Sequence, residues 1–241
     1  MSVREGMRTV LTTPGTLRAS LVGTVVVGLA LVATWPHGTL AAAMRSGQAT
    51  DTFSAVSICF LLVLLYLEAR FGAEDFAADP AVGLREYIRL TPVSPVSLAA
   101  GRLAVGILHT FVLLLLGMPL LVASMAVGGA GFAQVIAALL LAGAAGLAAR
   151  MWGLLALVLL GDRRPLRDMA VFVVVAASAV LTFIFTPTMS PFRLLEDLTR
   201  PPPGGSWAAC AAASGAAALV LAAASSAAMA VARARTRKRT A

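Results

Sequence analysis

The sequence predicts an all-α membrane protein with six transmembrane helices and with both termini in the cytoplasm. Of its 241 residues, 59% are hydrophobic and only 12% are charged, and the mean hydropathy is +0.90. Soluble domains carry about twice that share of charged residues, so the composition excludes an ordinary soluble fold. No linker divides the chain, and we expect one transmembrane domain over 1–241. The predicted spans are approximately 19–35, 52–71, 96–127, 133–160, 169–185 and 207–231.

The first two apolar runs bracket a short polar loop. Ala19–Trp35 is longer than the apolar core of a usual signal peptide, and this favours an uncleaved span. Thr52–Leu67 forms the second run, with Glu68 and Arg70 at its end.

The third run is longer than the roughly 20 residues that a bilayer requires. Ser94 and Pro95 are typical of a helix start, because they fit the N-cap and the first helical turn. Pro119 lies inside the run and predicts a hinge, since proline removes one backbone hydrogen bond from a helix. We therefore expect this helix to project beyond the membrane or to bend at Pro119.

The last three runs are less regular. Arg150 interrupts the fourth, and a short basic loop at 161–168 precedes a short fifth run. Ser190 and Pro191 predict the start of a brief amphipathic helix over Phe192–Leu198, ahead of the alanine-rich sixth run.

The distribution of arginine predicts the orientation, because basic residues are enriched in the cytoplasmic loops of membrane proteins. One set of connections contains nearly all of them, and the opposite set contains only Arg45, Arg193 and Arg200. The first set, which we expect in the cytoplasm, holds Arg4, Arg8, Arg18, Arg70, Arg85, Arg89, Arg102, Arg163, Arg164, Arg167 and the basic tail.

Several classes of function are not favoured. The net charge of +8 arises in short loops rather than in a continuous basic surface, so no nucleic-acid partner is predicted. Cys59 and Cys210 lie inside apolar runs, and neither a disulfide framework nor a metal site follows from their spacing. The chain has no phosphate-binding G-x-x-x-x-G-K-[ST] loop and no catalytic motif. We therefore expect no enzyme activity and no cofactor in this chain.

The segment between the second and third runs is amphipathic. Asp79 and Pro80 are typical of a helix start, and Pro92 ends the helix because it restricts the preceding Thr91. On one face lie the apolar residues Leu84, Tyr87 and Ile88, and on the other lie Arg85, Glu86 and Arg89. The pattern predicts a short helix at the membrane surface that leads directly into the third span.

This region resembles the ABC-2 family of ABC transporter permeases. Gly83, the sequence Thr-Pro-Val-Ser-Pro at 91–95, Gly101-Arg102 and Pro119 carry the resemblance over about forty residues. Asp79 stands where the family commonly has a glutamate, and Arg102 stands in place of a lysine. Pro80 and Ala81 depart from the basic and acidic residues of the family pattern.

The resemblance implies that the predicted helix Asp79–Leu90 is a coupling helix that contacts a separate ATPase. The residues expected to serve ATPase coupling are Asp79, Gly83, Arg85, Glu86, Arg89, Thr91 and Pro92. The implied partners are two copies of the ATPase, a second permease that is identical or related, and membrane lipid. The ATPase would bind ATP and magnesium. The implied location is the bacterial cytoplasmic membrane.

Two charged residues inside the runs predict a buried ion pair or two independent charges. Glu68 and Arg150 lie at similar distances from the outer ends of their runs, and charges inside a bilayer tend to pair. Each side chain also has the length to reach the inner headgroups on its own, and the sequence does not decide between these alternatives. His109 has no acidic neighbour on its own helix face, which favours a packing or hydrogen-bonding role.

The function that these patterns favour is the membrane-spanning subunit of an ATP-driven exporter, forming half of the translocation pathway. The alternative is an integral membrane scaffold, assembly or immunity protein that has no ATPase.

Overall fold

The computed structural model describes residues 14–35, 48–74, 94–128, 131–160, 164–185, 190–198 and 207–240. These residues form seven α-helices and no strand, as the sequence predicts for an all-α protein. The helices are α1 (Pro14–Ala33), α2 (Gln48–Glu74), α3 (Pro95–Gly128), α4 (Phe132–Leu160), α5 (Arg164–Phe185), α6 (Pro191–Asp197) and α7 (Trp207–Thr240).

Four of the described helices are long and apolar enough to cross a membrane. Their apolar segments are Thr52–Ala73, Pro95–Val127, Phe132–Leu160 and Trp207–Ala232, which agree closely with the second, third, fourth and sixth predicted spans. The first predicted span coincides with a shorter apolar helix, Leu17–Ala33. The fifth falls within α5, which has Arg167 and Asp168 near its start. The chain is therefore a multi-pass membrane protein, and its crossings at α1 and α5 stay a prediction.

Two helix starts follow the predicted capping pattern. Ser94 precedes α3, and its hydroxyl accepts a hydrogen bond from the Ser97 backbone N–H at 3.1 Å. Ser190 precedes α6 in an extended conformation and accepts from the Arg193 backbone N–H at 3.5 Å. In both cases proline occupies the first turn, where a missing N–H costs no intrahelical hydrogen bond.

Helices α2 and α4 run parallel and in very close contact. A Cβ atom at Gly146 of α4 would lie 3.3 Å from Leu64 of α2, and one at Gly153 would overlap the backbone of Ala69. The later residue of α4 thus contacts the later residue of α2, so the two helices run parallel. Small residues at helix interfaces allow this approach of backbones in membrane proteins.

Helix α3 runs antiparallel to α2 and therefore also to α4. Gly117 faces the ring of Phe60, where a Cβ atom would have no room. His109, which precedes Gly117 on α3, contacts Glu68, which follows Phe60 on α2. The two contacts therefore run in opposite chain directions. The three helices form the centre of the bundle.

Helices α1 and α7 flank this centre. The Thr52 hydroxyl of α2 donates a hydrogen bond to the Thr34 carbonyl just after α1 at 2.7 Å. Gly23, earlier on α1, faces Val63, later on α2, so these two helices are antiparallel. On the other side, Ala218 of α7 packs near Met151, and Met229 packs near Leu157. Helix α7 therefore runs parallel to α4.

The short helix α6 closes one end of the bundle. Phe192, Leu194 and Leu195 are buried in the main apolar core. The Gln134 side-chain amide at the start of α4 donates to the Leu198 carbonyl just after α6. This end contains the starts of α2, α4 and α7.

The opposite end of the bundle is basic. It contains the starts of α1, α3 and α5 and the ends of α2, α4 and α7, because the central helices alternate in direction. The basic residues at this end are Arg18, Arg70, Arg102, Arg164, Arg167, Arg233, Arg235, Arg237, Lys238 and Arg239. Arg193 is the only lysine or arginine among the described residues that lies at the α6 end.

The contact between α2 and α4 generates a prediction about two glycines. A Cβ atom at Gly72 would overlap the Arg150 carbonyl, and one at Gly153 would overlap the Ala69 carbonyl. Each change to alanine should lower the free energy of unfolding by about 1–3 kcal/mol, as overpacked cores do. Unfolding of the purified protein in detergent micelles, followed by helical circular dichroism, measures the loss.

Gly28 of α1 and Gly215 of α7 are matched controls, because a Cβ atom at either would meet nothing within 4 Å. Alanine at these positions should be neutral or stabilising by up to about 1 kcal/mol, since glycine is unfavourable inside a helix. Equal effects at all four glycines would contradict the close approach of α2 and α4.

Candidate functional site

The three central helices meet at a buried ion pair. Arg150 of α4 donates from Nη1 to Oε2 of Glu68 on α2 at 2.9 Å. Glu68 is 0% exposed and Arg150 is 1% exposed. Of the two alternatives left open by the sequence, the structure has the paired arrangement rather than two separate side chains that reach the headgroups.

Helix α3 completes the site with two neighbouring polar residues. The Thr110 hydroxyl donates to Glu68 Oε1 at 3.0 Å, and His109 Nδ1 lies 3.1 Å from the same oxygen. Both carboxylate oxygens therefore have partners within the bundle. We call Glu68, His109, Thr110 and Arg150 the buried charge cluster.

The His109 Nδ1 atom lies between an acceptor and a donor. It is 3.1 Å from Glu68 Oε1 and also 3.1 Å from Arg150 Nη1. With a proton on Nδ1 it donates to the carboxylate, and without one it accepts from the guanidinium. Either tautomer of neutral histidine thus forms one of these hydrogen bonds, and the four residues then carry no net charge.

Glycines leave the space that the arginine side chain occupies. A Cβ atom at Gly106 of α3 would lie 2.7 Å from Arg150 Cδ, and one at Gly146 of α4 would lie 3.5 Å from Glu68 Cγ. Phe71 covers His109 in an edge-to-face contact, with 4.8 Å between ring centroids. The ion pair is therefore enclosed on all three helices by small or aromatic groups.

Burial makes the pair sensitive to the loss of either member. Removal of charges from water costs several kcal/mol per ion, and that cost is offset only when each charge keeps a close partner. The pair itself adds little net stability relative to an apolar core of the same shape. Its consequence is positional: α2, α3 and α4 must stay in register for every charge to remain satisfied.

The chemistry available at the cluster is that of a structural connection. The carboxylate, imidazole and guanidinium are all buried, and both oxygens of the carboxylate have hydrogen-bond partners inside the bundle. In the described part of the chain, no group of three or more His, Cys, Asp or Glu side chains could hold a metal ion. A guanidinium 2.9 Å from the carboxylate also disfavours a cation there.

The remaining predicted site residues are not brought to this cluster. Helix α3 continues through Pro119, which is exposed on the outside of the bundle. The predicted ATPase-coupling residues Asp79, Gly83, Arg85, Glu86, Arg89, Thr91 and Pro92 lie outside the described residues, as does the rest of the predicted coupling helix.

Sequence reasoning did not assign His109 and Thr110 to the site. Their partner is on another helix, 41 and 42 residues away, so a search for acidic neighbours on the same helix face does not find it. The similar depth of these residues along their helices is a sequence signal that relates them to one another. Counted from the ends of the apolar segments at the α6 end of the bundle, Glu68 lies about 24 Å and His109 and Arg150 lie about 27 Å along their helices, at about 1.5 Å per residue.

Comparison with known proteins identifies no relative: no family model, no curated protein and no solved structure matches the chain.

The ion pair generates a prediction for a double-mutant cycle. Glu68→Gln and Arg150→Gln should each destabilise the protein by about 3–5 kcal/mol, because each leaves one buried charge without its partner. The double variant should lose clearly less than the sum of the two single losses. Unfolding in detergent micelles measures all four proteins.

Ser57→Ala on α2 is the matched control for this cycle. Ser57 is as buried as the ion pair, and its hydroxyl has no hydrogen-bond partner among the described residues. Its removal should be neutral or slightly stabilising. Strictly additive losses for Glu68 and Arg150 would argue that the two charges do not depend on each other.

Proposed function

We propose that this chain is the membrane-spanning subunit of an ATP-driven exporter of the ABC-2 type. One geometric observation supports the proposal most. Glu74, at the end of α2, and Ser94, before α3, both lie at the basic end of the bundle. The segment between them, which resembles a coupling helix, is therefore attached at the end that the positive-inside rule assigns to the cytoplasm.

The proposed topology has six spans with both termini inside the cell. Helices α1 and α5 supply the two crossings beyond the four that length and composition support. The basic end faces the cytoplasm of a bacterium, and α6 lies at the outer face. In this orientation the buried charge cluster lies close to the inner limit of a hydrocarbon core about 30 Å thick.

The cluster gives the proposed coupling segment a rigid attachment. Glu68 lies six residues before the end of α2 and is bonded to α3 and α4. A displacement of the coupling segment would thus move three helices together instead of bending α2 alone. Closure of an ATPase acts effectively only on such a unit, because packed helices shift as bodies between discrete arrangements.

The proposed assembly contains two permeases and two ATPases, with ATP and magnesium bound by the ATPases. One chain of this size forms half of a translocation pathway. Large exposed apolar side chains on α1 and α7, including Leu21, Leu29, Leu219 and Val220, provide surface for lipid and for the second permease. Transport would proceed as ATP binding shifts the pair between inward-open and outward-open states.

The topology can be tested with single cysteines in a background that lacks Cys59 and Cys210. Cysteines at Gln48 and Gly204 should react with an impermeant thiol reagent on intact cells, and a cysteine at Arg164 should react only after the cells are opened. This labelling pattern is expected because the basic end of the bundle would face the cytoplasm. The reverse labelling pattern would show that the bundle is inverted.

The function can be tested by reversal of two charges on the predicted coupling helix. Arg85→Glu together with Arg89→Glu should reduce copurification of an ATPase subunit and its coupled hydrolysis by tenfold or more, on the order of the effect of several repulsive contacts at an interface. Arg193→Glu, at the α6 end, is the control and should leave docking unchanged. The measurements are pull-down from native membranes and ATP hydrolysis in nanodiscs.

The two possible failures of this test have different meanings. Full docking by the reversed variant would show that the predicted helix Asp79–Leu90 is not the coupling element, while the transporter proposal stands. Absence of any copurifying ATPase with the unaltered, folded protein would favour the scaffold, assembly or immunity alternative.

A further inference from the structure

A groove with one charged end lies between α1 and α2. Its volume is about 680 Å³, within the range of about 300–1,000 Å³ that is typical of small-molecule sites. The groove is open to the surroundings of the bundle, and it is lined mainly by aliphatic and aromatic side chains. It shares no residue with the buried charge cluster.

The α1 side of the groove is a row of residues spaced four apart. Arg18, Val22 and Val26 succeed one another at that interval, so they lie along one face of the helix. All three are exposed, and Arg18 is at the basic end of the bundle. The row therefore changes from cationic to aliphatic as it runs towards the α6 end.

The α2 side repeats this order in the opposite chain direction. Leu62, Tyr66 and Arg70 are also spaced four apart and exposed, and Arg70 is at the basic end. Because α1 and α2 are antiparallel, the two arginines lie at the same end of the groove. Tyr66 is next to them, at the level where tyrosine is enriched in membrane proteins.

The floor of the groove depends on a glycine. A Cβ atom at Gly23 of α1 would lie 2.7 Å from Val63 Cγ1 and 3.2 Å from Leu67 Cδ1, both on α2. The close contact of the helices at this point closes the bottom of the groove with apolar atoms. No aspartate or glutamate is among the described residues that line it.

We propose that this groove binds an anionic phospholipid of the surrounding membrane. The phosphate would lie between Arg18 and Arg70 within reach of the Tyr66 hydroxyl, and an acyl chain would lie along Val22, Val26 and the floor. The match is one of charge and polarity together: two guanidinium groups at one end of an otherwise apolar surface. Basic pockets between membrane helices bind anionic headgroups for this reason. The inference requires only that these helices lie in a membrane and does not depend on an ATPase.

The test compares phosphatidylglycerol with phosphatidylcholine of the same acyl chains, added to the full-length protein in neutral detergent. Native mass spectrometry counts bound lipids and gives apparent dissociation constants. The unaltered protein should bind phosphatidylglycerol about 30-fold more tightly, as expected for two arginines that each attract the headgroup. Arg18→Gln with Arg70→Gln should abolish this preference, and Arg18→Lys with Arg70→Lys should retain it.

Two matched controls separate the groove from general surface charge. Arg102→Gln removes a charge at the same end of the bundle and Arg193→Gln removes one at the α6 end; neither residue is among those described as lining the groove. Both variants should keep the preference. Equal loss in the controls, or no preference in the unaltered protein, would overturn the proposal.

A further variant fills the groove and keeps both arginines. Val22→Trp should weaken binding of both lipids at least tenfold, since the acyl chain loses its place. If the glutamine variant does not fold, this measurement decides alone, and unchanged lipid binding would overturn the proposal. A stable dimer that Val22→Trp dissociates, with no lipid bound, would assign the groove to a second copy of the chain.

Discussion

A buried carboxylate inside a membrane bundle must keep its partners, and the centre of this structure is arranged around that requirement. Glu68 is 0% exposed, so its hydrogen bonds have to come from neighbouring helices. They come from α3 and α4, through Thr110, His109 and Arg150. The relative rotation and depth of three helices are thereby defined by one side chain.

The close packing of the bundle is the condition that makes this cluster possible. An arginine as large as Arg150 becomes fully buried only because Gly106 leaves room for its side chain and because Gly72 allows the two backbones to meet. Without a strong hydrophobic force between helices in lipid, such close contacts and the interhelical hydrogen bonds are what hold a bundle together. Packing and electrostatics thus depend on the same few positions, so a substitution that disturbs the packing also disturbs the ion pair.

The sequence predicted the parts of this structure that depend on local patterns. Apolar runs located the apolar segments of the four long helices within a few residues, and serine followed by proline located the starts of α3 and α6. The charged pair was foreseen as one of two alternatives, because its members are far apart in the chain and only their depth relates them. His109 was interpreted from its own helix face, while its hydrogen-bond partners lie on α2 and α4. The groove and the buried charge cluster both depend on which helix faces pack together. The sequence of one apolar helix does not show this, because the faces that contact lipid and those that contact protein have similar residues.

The buried ion pair also has a consequence for the order in which the protein is made. Arg150 follows Glu68 by 82 residues, so about 4–16 s of synthesis at about 5–20 residues per second separate their emergence from the ribosome. During that interval Glu68 has been synthesised, but its cationic partner Arg150 has not. His109 and Thr110 emerge roughly halfway through and offer the first hydrogen bonds to the carboxylate. The polar residues of α3 would then act as an interim partner during membrane insertion, before α4 arrives and completes the bundle.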